Sequence, residues 1–158
     1  MDFNLPIRIA ALVAVLATGV VYGTDVFRTI VLRPALAWLD DDALVAVTGF
    51  VHRHGDRRMP VPGVLALVAA TATTGALAAA AAHWVQAAAA TASAALLIWL
   101  LIYTRLSAPV NRQRTAAAES GRTLANGRAL QAKWDSVINT RAALQGLAMA
   151  ALCTVAIT

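Results

Sequence analysis

Residues 61–103 read VPGVLALVAATATTGALAAAAAHWVQAAAATASAALLIWLLIY and contain no Asp, Glu, Lys or Arg. As a single helix this stretch would be roughly 65 Å long at about 1.5 Å per residue, twice the hydrocarbon thickness of a bilayer. It must fold back on itself. The one interruption is His83 and its neighbours, so a tight helical hairpin is expected near residues 82–84. Both arms are rich in Ala, Gly, Ser and Thr, whose small faces let helix backbones approach closely.

Two more apolar runs flank the hairpin. The first starts near Pro6, a good first-turn residue, and continues as IRIAALVAVLATGVVYGTDVF towards Leu32. The last follows Arg141 and ends at the C-terminus. Twelve of the thirteen Lys/Arg residues fall in two segments. Arg28, Arg33, Arg53, Arg57 and Arg58 lie between the first and second runs. Arg105, Arg112, Arg114, Arg122, Arg128, Lys133 and Arg141 lie between the third and fourth. The hairpin turn and the C-terminal end have no charge. This is the positive-inside pattern of a four-span protein with both termini outside, and a bacterial inner membrane is the expected location. The predicted fold is all-α: a single-domain integral membrane four-helix bundle with spans at about 6–32, 61–82, 85–105 and 136–157.

Composition agrees. The chain has 158 residues, 59% hydrophobic and 13% charged, whereas a soluble domain carries about a quarter charged. The net charge of +5 does not point to nucleic acid, because the basic residues flank spans and no soluble domain is left to hold a groove. The lipid bilayer is the expected partner, and the Ala-rich hairpin permits a homo-oligomer. Cys153, the lone cysteine, excludes an internal disulfide and a thiolate metal cluster and reads as a small hydrophobe. The start MDFNLPIRIA lacks the basic opening of a signal peptide, so the first span is expected to be retained.

Between the first two spans, Pro34 should break or kink the helix. Asp40 is a good N-cap for ALVAVTGFVHRH, too short to span and read as an interfacial helix, with Gly55 as its terminator. After the third span Pro109 reads as a break, a polar helix is expected over residues 112–120, and a long helix should begin near Arg128 and run to Thr158.

Polar residues within spans are expensive and suggest function. Thr18, Tyr22, Asp25 and Thr29 form one helical stripe, with Arg28 three residues from Asp25. Trp134, Ile138, Arg141 and Gln145 form a second at the mouth of the last span, flanked by Asp135 and Asn139. Trp99 and Tyr103 are an i, i+4 aromatic pair at the same end, and Asn111 follows Pro109. Arg141 is placed to pair with Asp25 or to bind an anion. The segment His52-Arg53-His54-Gly55-Asp56 holds the metal candidates His52, His54 and Asp56. On a helix the two imidazoles point about 200° apart, so only His52 and Asp56 share a face, fewer ligands than a metal site needs. No cofactor is therefore predicted, though a metal- or haem-binding protein stays an open alternative. Arg112, Arg114, Arg122 and Arg128 read as topology determinants. All three sets lie toward one end, where a pocket that is apolar below and polar at its rim suits a hydrophobic small molecule.

The Pro-x-Asn element (Pro109, Asn111), the segment WDSVINTR opening the fourth span and RPAL after the first resemble the anthrone-oxygenase-like family of small four-span membrane proteins. The resemblance covers most of the chain. It implies an O2-dependent oxidoreductase that converts anthrones to anthraquinones without a known metal or flavin, with Trp134, Arg141 and Asn111 matching the family's motif. Many members carry a His shortly before the Arg, where this chain has Ile138, Asn139 and Thr140. With that His missing, His52 or His54 is a candidate to take over as base, with Asp25 as an alternative, Arg141 beside the developing oxyanion and Asn111 at the mouth. Tyr22, Arg28, Trp99, Tyr103, Trp134, Asn139 and Gln145 would surround the substrate. A non-catalytic transporter, or a binding or assembly protein, is the competing reading.

Overall fold

The computed structural model describes residues 4–80 and 83–158. Four helical segments are long and apolar enough to cross a membrane: Leu5–Leu36, Pro60–Ala79, His83–Glu119 and Gly127–Ile157. No strand is present among the described residues. The membrane core uses α1 (Asn4–Phe27), α4 (Pro60–Ala79), α5 (His83–Ile102) and α8 (Ile138–Ile157). Around this bundle α1 packs on α4, α4 on α5, α5 on α8 and α8 on α1. The hairpin joining α4 to α5 falls partly on residues 81–82, outside the described residues.

Alanine dominates the seams. Ala14, Ala17, Ala66, Ala70, Ala92, Ala95 and Ala148 meet in the central layer, closed by Leu96 and Leu152. Side chains this short bring backbones together, so dispersion between helices replaces the hydrophobic drive that lipid cannot supply. Buried hydroxyls bond back to their own helix: Thr18 donates to the Ala14 carbonyl at 2.7 Å and Thr73 to Ala69 at 2.8 Å. One polar link crosses the hairpin, between Thr74 and Ser93 hydroxyls 3.0 Å apart. Leu12, Leu16, Val64, Val68, Leu97 and Leu101 point outward and form part of the lipid-facing surface.

The polar end is built from α2 (Arg33–Leu36), α3 (Asp41–Arg58), α6 (Ala108–Glu119) and α7 (Gly127–Asp135). The expected interfacial helix is α3, capped by the Asp40 carboxylate, which accepts from the Ala43 amide at 2.8 Å. It does not stop at Gly55 but runs to Arg58 before α4 begins at Pro60. Gly55 has ordinary helical neighbours on both sides, and no turn there demands its freedom. The close approach in α3 is at Gly49, where an added Cβ would lie 2.5 Å from the Arg114 carbonyl oxygen and 2.5 Å from Ala118 Cβ of α6.

Neither Pro34 nor Pro109 breaks its helix. Each is preceded by a π-helical turn, Arg28–Leu32 and Tyr103–Ser107. The Arg33 amide bonds back to the Arg28 carbonyl, and the Ala108 amide to the Tyr103 carbonyl. Proline offers no N–H and crowds the carbonyl four residues earlier. The wider turn absorbs that conflict, so the helix continues with one extra residue in its register. The long helix expected from Arg128 is instead interrupted at Ser136 and Val137, between α7 and α8. The Ser136 amide still bonds to the Ala132 carbonyl at 3.0 Å, but the Val137 amide reaches only the Trp134 carbonyl, at 3.4 Å.

Candidate functional site

A cavity of about 810 Å³ lies where the membrane bundle meets the polar end. Its walls come from α1, α3, α4 and α5, with Asn111, Trp134 and Arg141 contributed by α6, α7 and α8. Most of the lining is apolar. Val20, Phe27, Val51, Val64 and Val68 line the cavity and are also exposed on the outer surface of α1, α3 and α4. A residue that does both stands at a rim, so the cavity opens sideways between these helices. Gly23 and Gly55 form parts of the wall at which an added Cβ would meet nothing within 4 Å.

At the inner wall Asp25 and Arg141 form a buried ion pair, Nη2 to Oδ1 at 3.0 Å. Gln145 Nε2 donates to the other Asp25 oxygen at 3.2 Å, and Arg141 Nη1 donates to Ser107 Oγ at 2.9 Å. The two polar stripes thus meet face to face across α1 and α8. Ser107 reaches Arg141 from the second π turn. Either partner alone would be a desolvated ion, and even together Arg141 Nε and Gln145 Oε1 have no hydrogen-bond partner among the described residues.

Trp134 is the centre of the polar end. Arg28 Cζ lies 3.8 Å from its ring centroid and Arg141 Cζ 5.2 Å, while the His52 ring lies 5.5 Å away at 43°. Its indole Nε1 donates to Asn111 Oδ1 at 2.9 Å. Asn111 Nδ2 donates to Asp56 Oδ1 at 2.9 Å, and the Tyr103 hydroxyl donates to the same oxygen at 2.9 Å. Tyr103 in turn stacks on Trp99, centroids 6.1 Å apart. One chain of contacts therefore runs from α3 through the second π turn and α6 to α7.

His52 is 6% exposed, and its Nε2 has no hydrogen-bond partner among the described residues. Burial holds its imidazole neutral, well below the usual range, and the nearby charges of Arg28, Arg114 and Arg141 push in the same direction. His54 is two positions on and therefore faces away. It is exposed, its Nδ1 sits 2.9 Å from the Phe50 carbonyl of its own helix, and it does not line the cavity. The helical spacing that separates the two imidazoles puts His52, not His54, at the cavity.

Asn139 is exposed, and Tyr22 and Gln145 do not line the cavity. An added Cβ on Gly146 of α8 would lie 3.6 Å from the Tyr22 ring, so Tyr22 packs in the α1–α8 seam. Arg28 is not within ion-pair distance of Asp25, because Arg141 occupies that carboxylate. Arg114, read from sequence as a topology determinant, is fully buried. It donates to Gln131 Oε1 at 2.7 Å and to the Gly127 carbonyl at 3.0 Å, tying α6 to α7. Its signal in the sequence is the spacing Val110, Arg114, Ala117, one face of α6, all three buried. His52 and Asp56 both line the cavity, but among the described residues no group of three or more His, Cys, Asp or Glu is arranged to hold a metal ion. No family model, curated protein or solved structure matches this chain.

Proposed function

We propose that this protein is a membrane-embedded oxidoreductase that uses O2 to oxidise a hydrophobic aromatic substrate of the anthrone type. The observation that carries the reading is a buried imidazole with a free nitrogen, His52, in the wall of a mostly apolar cavity with guanidinium groups beside it. The sideways opening suits a substrate dissolved in lipid. In this reading the polar end faces the cytoplasm of a bacterial cell, as the distribution of arginines favours.

The chemistry asks little of the protein. His52 removes one proton from the CH2 between the two rings, leaving an anthrolate whose charge lies on oxygen and is stabilised by Arg141, which lines the cavity. The electron-rich anthrolate reduces O2 and forms a C–O bond, and the imidazolium returns its proton to the peroxide. Loss of water across the C–H and O–O bonds leaves a second carbonyl. The sum is CH2 plus O2 giving C=O plus H2O: four electrons leave the carbon, and one oxygen atom enters the product while the other becomes water. Trp99, which lines the cavity, supplies a flat face for the rings. Asp25 acts as a positioning residue, because it holds Arg141 in place.

The test is O2 consumption and quinone absorbance with an anthrone and the purified protein in nanodiscs, measured above the spontaneous oxidation in empty nanodiscs. Turnover that His52→Gln abolishes and His54→Gln retains is the expected result. A rate equal to the empty-disc background overturns the reading and leaves a binding or transport protein.

A further inference from the structure

Three guanidinium groups are buried at the polar end, on Arg28, Arg114 and Arg141, whereas Asp25 is the one buried carboxylate among the described residues. Arg141 has that carboxylate. Arg114 has two hydrogen bonds of 2.7 and 3.0 Å and does not line the cavity. Arg28 is different. It is 5% exposed, it lines the cavity, and no carboxylate of the described residues lies within ion-pair distance. Its one hydrogen bond among the described residues is a long one, 3.4 Å to a Gln131 oxygen that already accepts from Arg114, and its unpartnered Nε is a feature it shares with Arg114 and Arg141. The carboxylates of Asp135 and Asp25 act on it only from beyond ion-pair distance and are engaged by Arg33 and Arg141, so a desolvated cation this short of direct acceptors is costly unless something supplies further negative charge. The Trp134 face beneath it provides only the weaker attraction of a ring quadrupole.

We infer that Arg28, seated on Trp134, is an anion subsite that binds the carboxylate of an amphipathic aromatic acid whose ring system occupies the apolar cavity. Planar guanidinium is suited to a two-point grip on such a group. The apolar rim formed by Val20, Phe27, Val64 and Val68 accommodates the rest of the molecule. This inference rests on the proposed function in taking the same cavity as the substrate site. It adds that the substrate carries a permanent negative charge away from the carbon that is oxidised.

Binding of anthraquinone-2-carboxylate and anthraquinone-2-carboxamide to the full-length protein in phosphatidylcholine nanodiscs tests it. Tryptophan quenching reports occupancy, corrected for partition into empty discs. Wild type should prefer the carboxylate by at least tenfold. Arg28→Gln should lose that preference while holding the carboxamide within twofold, and Arg28→Lys should restore part of it. Equal affinity of wild type for the two probes overturns the subsite without any variant. So does a carboxylate affinity that Arg28→Gln leaves unchanged. Displacement of the carboxylate probe by oleate, or by substituting phosphatidylglycerol for phosphatidylcholine, with no preference for aromatic acids, assigns the subsite to a lipid anion and overturns the aromatic assignment. Oxidation of an uncharged anthrone by wild type and Arg28→Gln alike, with the two probes bound equally, removes the subsite and leaves the oxidoreductase reading standing.

Discussion

His52 is a neutral base held where its charged form is disfavoured. With the folded imidazole depressed and the unfolded one near about 6.5, the unfolded chain binds the extra proton as pH falls below that value. The stabilisation is therefore fully present above about pH 6.5 and is lost below it. At one unit below, the loss is about 1.4 kcal/mol. Thermal unfolding of wild type between pH 7.5 and 5.5 should show this slope, and His52→Gln should lack it. The same electrostatics suggest how the base is switched on. In the proposed reaction, negative charge developing on the substrate beside these guanidinium groups would offset their field and make protonation of His52 less costly. Asp25→Asn presents the opposite case. It strands the Arg141 cation, and a drop of about 3–5 kcal/mol is expected, partly recovered in Asp25→Asn/Arg141→Met. Unfolding in detergent measures both.

Two glycines of α3 differ in what surrounds them. Gly49 lies against the α6 backbone, so Gly49→Val should push α3 off α6 and lower stability by about 1–3 kcal/mol or more. Gly55 faces the cavity with nothing within 4 Å. Gly55→Leu should leave the melting temperature near wild type while excluding the anthraquinone probes, a separation that binding and melting curves resolve together. From sequence the roles looked reversed, since Gly55 follows a polar stretch and reads as a helix stop, whereas nothing near Gly49 announces a close contact. The π turns were hidden for a related reason. Pro34 and Pro109 are legible as local conflicts, but whether a helix ends or widens there depends on the packing beyond them. Here Leu36 and Val110 are buried on the far side and hold the chain in line. Of the site, the Asp25 and Arg141 stripes were legible because both obey the helical repeat. The contact between Arg28 and Trp134, more than a hundred residues apart, belongs to tertiary packing and leaves no local trace.

The molecule is two layers of different character. The four long apolar helices of the membrane layer were readable from apolar length, because a bilayer imposes it. The polar layer was readable only in part, because its short helices are placed by buried polar contacts such as Arg114 with the Gly127 carbonyl. Orientation is tested with single cysteines in a Cys153→Ser background. Arg122→Cys should react with an impermeant maleimide only after the cells are opened, and Thr158→Cys should react in intact cells.

The sideways mouth framed by Val20, Phe27, Val64 and Val68 has a kinetic consequence. A ligand arriving through that gap is counted in molecules per lipid, not per litre of water. Adding inert phospholipid to a fixed amount of enzyme and substrate should slow turnover by surface dilution, although nothing in the aqueous phase has changed. Two substrates with the same ring system should then differ in apparent KM by the ratio of their partition coefficients. Under the proposed function, the membrane would be the solvent of the reaction.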